Sequence, residues 1–149
     1  MIAHAECLLF LHLTLARGRS MQLVLLVEDD DERAAKIEQC VPHQVRCVRA
    51  RSAGAAIGIL RRDKFAGILL DFDLYRSAHG HPQFTGESVA QAICETQPRT
   101  CQIFVHSQNP TGARHVFALL KEAGFAVEQF PWSSEAIGPL TSWFRDLLG

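Results

Sequence analysis

With 149 residues, of which 48% are hydrophobic and 21% are charged, the chain has the length and composition of one ordinary globular domain. Its formal net charge of −1 excludes broad, non-specific binding to nucleic acid or to a membrane surface. The five cysteines form no C-x-x-C pair and lie in apolar segments, which indicates reduced thiols in a cytoplasmic protein.

The first twenty residues precede the regular pattern of the chain. Residues 7–15 are apolar, but this segment is too short to span a bilayer, and it lacks the preceding basic segment of a secretory signal. We therefore predict that residues 1–20 are an extension outside the fold and that residues 21–149 form a single domain. A short amphipathic or partner-binding helix is the alternative for the extension.

Five strands, each followed by a helix, are predicted from residue 21 onward. The strands are the short apolar runs 22–27, 44–48, 66–70, 101–105 and 126–130. Asn109 and Pro110 begin the fourth helix and Gly124 ends it, while Gly138-Pro139 weakens or kinks the fifth helix near its start. This alternation predicts a parallel sheet with right-handed crossovers and helices on both faces, and no DNA-binding or output domain after the fifth helix.

The third predicted strand ends abruptly in acid. The apolar run 68–70 is followed by Asp71 and Asp73, and acidic residues at the carboxyl edge of a parallel sheet lie where ligands bind. About a dozen residues then separate this strand from the next helix, a length typical of functional or mobile loops. His79 and His81 lie in that segment without a third ligand at metal-binding spacing, and we predict that they are exposed to solvent.

Two further carboxylates, Glu28 and Asp29, follow the first strand and are expected to meet Asp71 at the same edge. Two carboxylates about 5 Å apart repel by roughly 3 kcal/mol at an effective dielectric near 20. The cluster must therefore hold protons or recruit a cation, and hard oxygen ligands suit Mg²⁺. This prediction would fail if the Asp71 side chain lay far from the other two, or if an arginine salt bridge filled the same place.

A polar loop after the fourth strand adds groups that could handle phosphate. His106 can exchange a proton near pH 7, and Ser107 and Asn109 can donate hydrogen bonds to phosphate oxygens. The amides that open the fourth helix favour an anion. With Asp71 and Asp73 supplying metal ligands or a base, these are the parts that metal-assisted opening of a cyclic phosphodiester requires.

The element order and the V-E-D-D and L-L-D positions of residues 21–149 resemble receiver domains of two-component response regulators. The resemblance implies a flavodoxin-like (βα)5 three-layer sandwich with a parallel five-stranded sheet in the order 2-1-3-4-5. It also implies Mg²⁺ held by Glu28, Asp29 and Asp71. Asp71 would be the phosphoryl acceptor, Ser107 the switch hydroxyl, and a histidine kinase the partner.

One position departs from that pattern. Receivers carry a lysine just before the proline that follows the fifth strand, whereas Phe130 precedes Pro131 in this chain. The cation that would neutralise a phosphoryl group is therefore missing from the place where receivers carry it.

Two motifs resemble a narrower branch, the cyclic-phosphate-processing receivers. Residues 70–74 match its L-D-x-D-L motif, Thr85-Gly86 follows, and residues 106–113 match its H-S-x-N-x-x-G-A motif. The resemblance implies Mg²⁺-dependent phosphoryl chemistry on a cyclic phosphate of a small molecule or an RNA end. The catalytic candidates are Asp71, Asp73, His106, Ser107 and Asn109. The alternatives are a stand-alone receiver phosphorylated on Asp71 and a degenerate receiver that acts as an interaction module.

Overall fold

The computed structural model of the protein describes residues 20–74 and 85–149. Its five strands are β1 Gln22–Val27, β2 Val45–Ala50, β3 Gly67–Leu70, β4 Gln102–Ser107 and β5 Ala126–Pro131. Its helices are α1 Asp31–Glu38, α2 Ala53–Arg62, α3 Gly86–Thr96, α4 Pro110–Glu122 and α5 Ile137–Leu148. All strand pairs are parallel and the order is β2-β1-β3-β4-β5, which confirms the predicted (βα)5 sheet.

A separate hydrophobic core lies on each face of the sheet. Along β1, Leu25 and Val27 face a core completed by α2, α3 and α4, while Val24 and Leu26 face a core completed by α1 and α5. Because successive strand residues point to opposite faces, a strand that is covered on both sides is apolar throughout. The result is the three-layer arrangement expected from the alternating elements.

Several element boundaries differ from the sequence prediction, and β2 for example runs Val45–Ala50 where 44–48 was expected. β4 continues two residues further than expected because His106 and Ser107 remain in register with Phe130 and Pro131 of β5. His106 and Ser107 are therefore buried strand residues and not loop residues. The last helix begins at Ile137, after a short 3-10 turn, so that Pro139 lies in its first turn, where a missing N–H costs little.

Several local predictions are confirmed. The Asn109 side chain accepts a hydrogen bond from the Gly112 N–H at the start of α4, and Gly124 ends that helix region with a φ of 96°. The apolar segment 7–15 lies outside the described residues. Within the described ranges the four cysteines are free, and no helix is long and apolar enough to cross a membrane.

Candidate functional site

The carboxyl edge of the sheet brings together the acidic residues that the sequence predicted to meet. Glu28 and Asp29 follow β1, and Asp71 follows β3, which pairs with β1. One carboxylate oxygen from each of the three residues lies within 4.8 Å of the other two. Glu28 and Asp71 are almost completely buried, whereas the Asp29 side chain remains 18% exposed.

An arginine lies in the middle of these carboxylates, and sequence reasoning missed it. Arg33 Nη2 lies 2.9 Å from Glu28 Oε1, 2.9 Å from Asp71 Oδ2 and 3.6 Å from Asp29 Oδ1. Arg33 belongs to the first turn of α1, and its own N–H donates to the Asp30 side chain that caps this helix. The signal in the sequence was the spacing of four residues between Asp29 and Arg33 at a helix start. The arginine salt bridge under which the metal prediction would fail is therefore present, and in this arrangement of side chains Arg33 fills the place that an ion would need.

The Glu28 carboxylate is held by several donors. Arg33 donates to Oε1 from Nε and Nη2, and the Asp30 N–H donates to the same oxygen at 2.9 Å. On the other side, His106 Nε2 lies 3.0 Å from Oε2. Burial of the carboxyl group opposes its ionisation. The hydrogen bond and charge of His106, with the bonds from Arg33 and Asp30, outweigh burial and lower the pKa of Glu28 to about 2.

Asp71 shows the opposite balance. Burial raises the pKa of the Asp71 carboxyl group to about 6, and the neighbouring charge of Glu28 raises it further, while His106 and Arg33 act in the other direction. Besides Arg33, its described hydrogen-bond partner is the N–H of Asp73, 3.3 Å from Oδ1. Glu28 thus has the stronger hydrogen-bonded environment, and Asp71 is the more readily protonated of the two.

The rim of the site, which runs from the exposed Asp73 to the buried Ser107, joins the two sequence motifs. Asn109 Nδ2 donates to Asp73 Oδ1 at 3.1 Å, and the Asn109 N–H donates to Ser107 Oγ at 3.1 Å. Asp73 itself is exposed and lies outside the carboxylate cluster around Arg33. Asn109 therefore acts both as the cap of α4 and as the link between the β3 and β4 edges.

Phe72 fixes the segment that carries both aspartates. A Cβ atom placed on Gly112 would lie 2.2 Å from the Phe72 ring, and one placed on Gly86 would lie 2.7 Å from the Phe72 Cα atom. The Gly86 N–H also donates to the Phe72 carbonyl at 3.3 Å. The two motif glycines thus admit Phe72 between the beginnings of α3 and α4, a role that the sequence motifs alone did not reveal.

A second arginine supports the backbone of the acidic segment. Arg49 Nε donates to the Glu28 carbonyl and Nη2 to the Asp29 carbonyl, while Nη1 pairs with the Asp31 carboxylate at 2.8 Å. Arg51 also pairs with Asp31, at 2.7 Å. Asp31 therefore belongs to the solvated helix start and not to the carboxylate cluster.

The position that carries lysine in receivers is apolar here. Phe130 pairs in register with His106 and packs partly against the core formed with α1 and α5. The cation nearest to Asp71 in the described structure comes instead from Arg33 on α1. His79 and His81 lie outside the described residues.

The parallel sheet and the acidic residues after β1 and β3 define a receiver fold, and solved structures agree. The BeF3-activated receiver domain of DrrB from Thermotoga maritima has a TM-score of 0.62 at 16% identity, over 86% of this chain and 97% of that chain. A receiver domain protein from Methanospirillum hungatei has a TM-score of 0.61 at 17% identity, over 86% and 97%.

The receiver domain of a sensor histidine kinase from Pseudomonas aeruginosa, with a magnesium ion coordinated in its active site cleft, has a TM-score of 0.58 at 23% identity. That similarity covers 85% of this chain and 99% of that one. Identities in this range establish the fold alone. The profile of the cyclic-phosphate processing receiver domain matches residues 24–122, and the chain therefore belongs to that family. No curated protein matches the chain.

Proposed function

We propose that this edge of the sheet binds a phosphate group together with Mg²⁺ and opens cyclic phosphodiesters of small molecules or RNA ends. The observation that supports this most is the rim formed by Asp73, Asn109 and Ser107. These residues come from two motifs that lie far apart in the chain, yet hydrogen bonds join them beside the buried carboxylates. Membership of the family adds support through the activity that its name describes.

The donor set fits Mg²⁺ in chemistry and spacing. Glu28, Asp29 and Asp71 offer hard oxygen atoms within 4.8 Å of one another, and Mg²⁺ prefers carboxylates combined with phosphate and water. Arg33 has to leave the cluster before an ion can enter. Its side chain is 20% exposed and belongs to a surface helix, which gives it a path to solvent. When bound, Mg²⁺ would polarise a phosphoryl oxygen and lower the pKa of a coordinated water.

The chain's own residues then have separable roles. The Ser107 hydroxyl can donate to a phosphate oxygen, and the positive end of the 13-residue helix α4 favours an anion, while Asn109 caps that helix and bonds Ser107. Asp73, the exposed rim carboxylate, orients the attacking water and takes its proton. His106 is buried and bonded to Glu28, so that it is a positioning residue for that carboxylate.

The reaction is the addition of one water molecule. The water oxygen forms a new bond to phosphorus, one ring P–O bond breaks, and the released ribose oxygen acquires a proton from solvent at the exposed rim. No redox step or second substrate is required. The product is a nucleoside or RNA end that carries a phosphate monoester.

The experiment offers 2′,3′-cyclic nucleotides and Mg²⁺ to the wild-type chain and to Asp71→Asn and His106→Ala. We expect turnover to fall by on the order of 100-fold or more in Asp71→Asn, because one of the three carboxylate ligands proposed for the ion is lost. We expect a smaller fall in His106→Ala, because that residue acts through Glu28. Arg51→Gln is the matched surface control and keeps wild-type turnover. Equal, background-level turnover in the wild type and in all of these variants would end the enzyme proposal.

A second candidate is a stand-alone receiver that takes a phosphoryl group from a histidine kinase. The position of Asp71 directly after β3, with Ser107 at the end of β4, favours it. Phe130 in the lysine position counts against it. Acid-labile phosphorylation of the wild type by acetyl phosphate, absent in Asp71→Asn, would support this candidate.

A degenerate receiver that serves as an interaction module is the third candidate, favoured by the arginine inside the acidic cluster. Failure of the wild type and of an Arg33 variant to bind Mg²⁺ would support it.

A further inference from the structure

We infer that Arg33 is the resident counter-cation of the acidic cluster and that its release couples Mg²⁺ binding to phosphate binding. The inference rests on the proposed cation site and adds how entry to that site is controlled. Its starting point is that one nitrogen atom, Arg33 Nη2, contacts all three carboxylates that offer metal ligands.

Arginine and a metal ion exclude each other at this position. Nη2 lies 2.9 Å from both Glu28 Oε1 and Asp71 Oδ2, so it occupies the space that an ion bound to the same oxygens would need. Two positive charges in that space would repel, and the carboxylate lone pairs that point at the guanidinium are the ones that would point at the ion. Mg²⁺ therefore binds only when Arg33 has moved.

Glu28 and Asp71, the two carboxylates that bond Arg33, differ in the hydrogen bonds that remain to them once Arg33 has moved. Without Arg33, Glu28 keeps the contact with His106 Nε2 and the hydrogen bond from the Asp30 N–H. Asp71 keeps only the Asp73 N–H among its described hydrogen bonds. Release of Arg33 therefore leaves Asp71 as the carboxylate in greatest need of a new cation, since a buried charge without a partner is costly.

A phosphate group gives Arg33 a second partner. A guanidinium presents parallel N–H donors that match two phosphate oxygens, and this pairing is among the stronger hydrogen-bonded arrangements in proteins. A phosphate at the rim beside Ser107 and Asn109 would draw Arg33 out of the cluster while Mg²⁺ takes its place. Because binding linkage is reciprocal, phosphate then raises the affinity for Mg²⁺, and Mg²⁺ raises the affinity for phosphate by the same factor.

Neighbouring arginines offer a matched comparison. Arg51 pairs with Asp31, and its side chain is 65% exposed. No hydrogen bond or ion pair in the described part of the chain joins it to Glu28 or Asp71. Arg51→Gln thus removes the same charge as Arg33→Gln from the same side of the sheet without opening the cluster.

The experiment is calorimetric titration of Mg²⁺ into the full chain with and without inorganic phosphate. For the wild type we expect phosphate to tighten Mg²⁺ binding by roughly 5- to 150-fold, the usual range of site coupling. Arg33→Gln should bind Mg²⁺ at least about tenfold more tightly than the wild type without phosphate, and phosphate should tighten its Mg²⁺ binding much less than it does in the wild type. Arg51→Gln should behave as the wild type.

The outcomes separate the two proposals. Equal Mg²⁺ affinity in the wild type and Arg33→Gln would overturn the role of Arg33 and leave the cation site standing. Absence of Mg²⁺ binding in both folded proteins, with and without phosphate, would overturn the cation site and the inference together.

Arg33→Lys covers the case in which Arg33→Gln fails to fold. It keeps the positive charge and loses the parallel N–H donors of the guanidinium. We expect it to bind Mg²⁺ no more tightly than the wild type without phosphate and to show weaker coupling with it. Coupling as strong as in the wild type would overturn the role of the guanidinium.

Discussion

Two buried carboxylates share one guanidinium, yet their pKa values move in opposite directions. Glu28 has a partner on each oxygen, so its ionised form is stabilised and its pKa falls from 4.5 to about 2. Asp71 is as deeply buried but has fewer donors, so burial dominates and its pKa rises from 3.8 to about 6. At neutral pH both carry charge, and only the Glu28 charge favours the folded state.

We predict opposite stability changes for Asp71→Asn and Glu28→Gln in metal-free buffer at pH 7.5. Burial of the ionised Asp71 carboxylate lowers the free energy of unfolding, which is a penalty on the folded state. That penalty is absent below pH 3.8, grows as the pH rises to about 6, and is constant above. Asp71→Asn should therefore stabilise by ~1–3 kcal/mol at pH 7.5 and by almost nothing below pH 3.8.

Glu28→Gln should destabilise by ~2–3 kcal/mol at neutral pH, because the stabilisation from the Glu28 charge is complete above pH 4.5 and is lost as the pH falls towards 2. Denaturant unfolding across this pH range measures both changes. Asp73→Asn, at an exposed position, is the control and should stay within about 0.5 kcal/mol. A destabilised Asp71→Asn at pH 7.5 would mean that the ion pair with Arg33 outweighs the cost of burial.

At the scale of elements, the site depends on how the segment after β3 docks onto two helix starts. Phe72 lies between Gly86 of α3 and Gly112 of α4, and the aspartates on either side of Phe72 point to the cluster and to the rim. The space for this ring exists because neither glycine has a Cβ atom. One aromatic contact thus sets the distance between the buried and exposed carboxylates.

We predict that Gly112→Ala destabilises the protein by ~1–3 kcal/mol, since its Cβ atom would lie 2.2 Å from the Phe72 ring and force the ring to shift. The same change at Gly58 in α2, where no atom lies within 4 Å of the added Cβ, should stabilise by roughly 0.5–1 kcal/mol. Thermal unfolding of both variants measures the contrast. Equal stability of the two would show that Phe72 moves aside without cost.

For the whole molecule, the described residues are enough to cover the hydrophobic core on each face of the sheet. Large side chains on both faces of the sheet, such as Trp143 and Ile93, are fully buried, and Met21 is the one exposed large hydrophobic residue in the described ranges. The described residues therefore leave no wide apolar surface that a further segment of the chain would have to cover.

We accordingly predict that a chain beginning at Ser20 unfolds within about 2 °C of the full chain, a shift that corresponds to well under 1 kcal/mol for a domain of this size. Its Mg²⁺ titration should also match that of the full chain. Scanning calorimetry and the titration make the comparison. A clear loss of stability or of cation binding would assign residues 1–19 a place in the fold or in the site.

Most of the fold and much of the site were predictable because the signals are local. Apolar runs, helix caps and the acid at the ends of β1 and β3 lie in adjacent residues, and the carboxyl ends of parallel strands meet at one edge. The extension of β4 to Ser107 was not predictable, since it depends on pairing with β5. The role of the motif glycines was also hidden, because the ring that fills their space belongs to another segment.

The order of the elements and the acidic residues that follow β1 and β3 could be derived from the sequence alone, because both depend on residue patterns a few positions long. The cation that neutralises those acids became known only from the packed fold. Arg33 and Asp71 are 38 residues apart, and they can meet because α1 follows β1, the strand that pairs with β3. A charge pair depends on distance in space, and that distance is fixed only when helix and sheet have packed together.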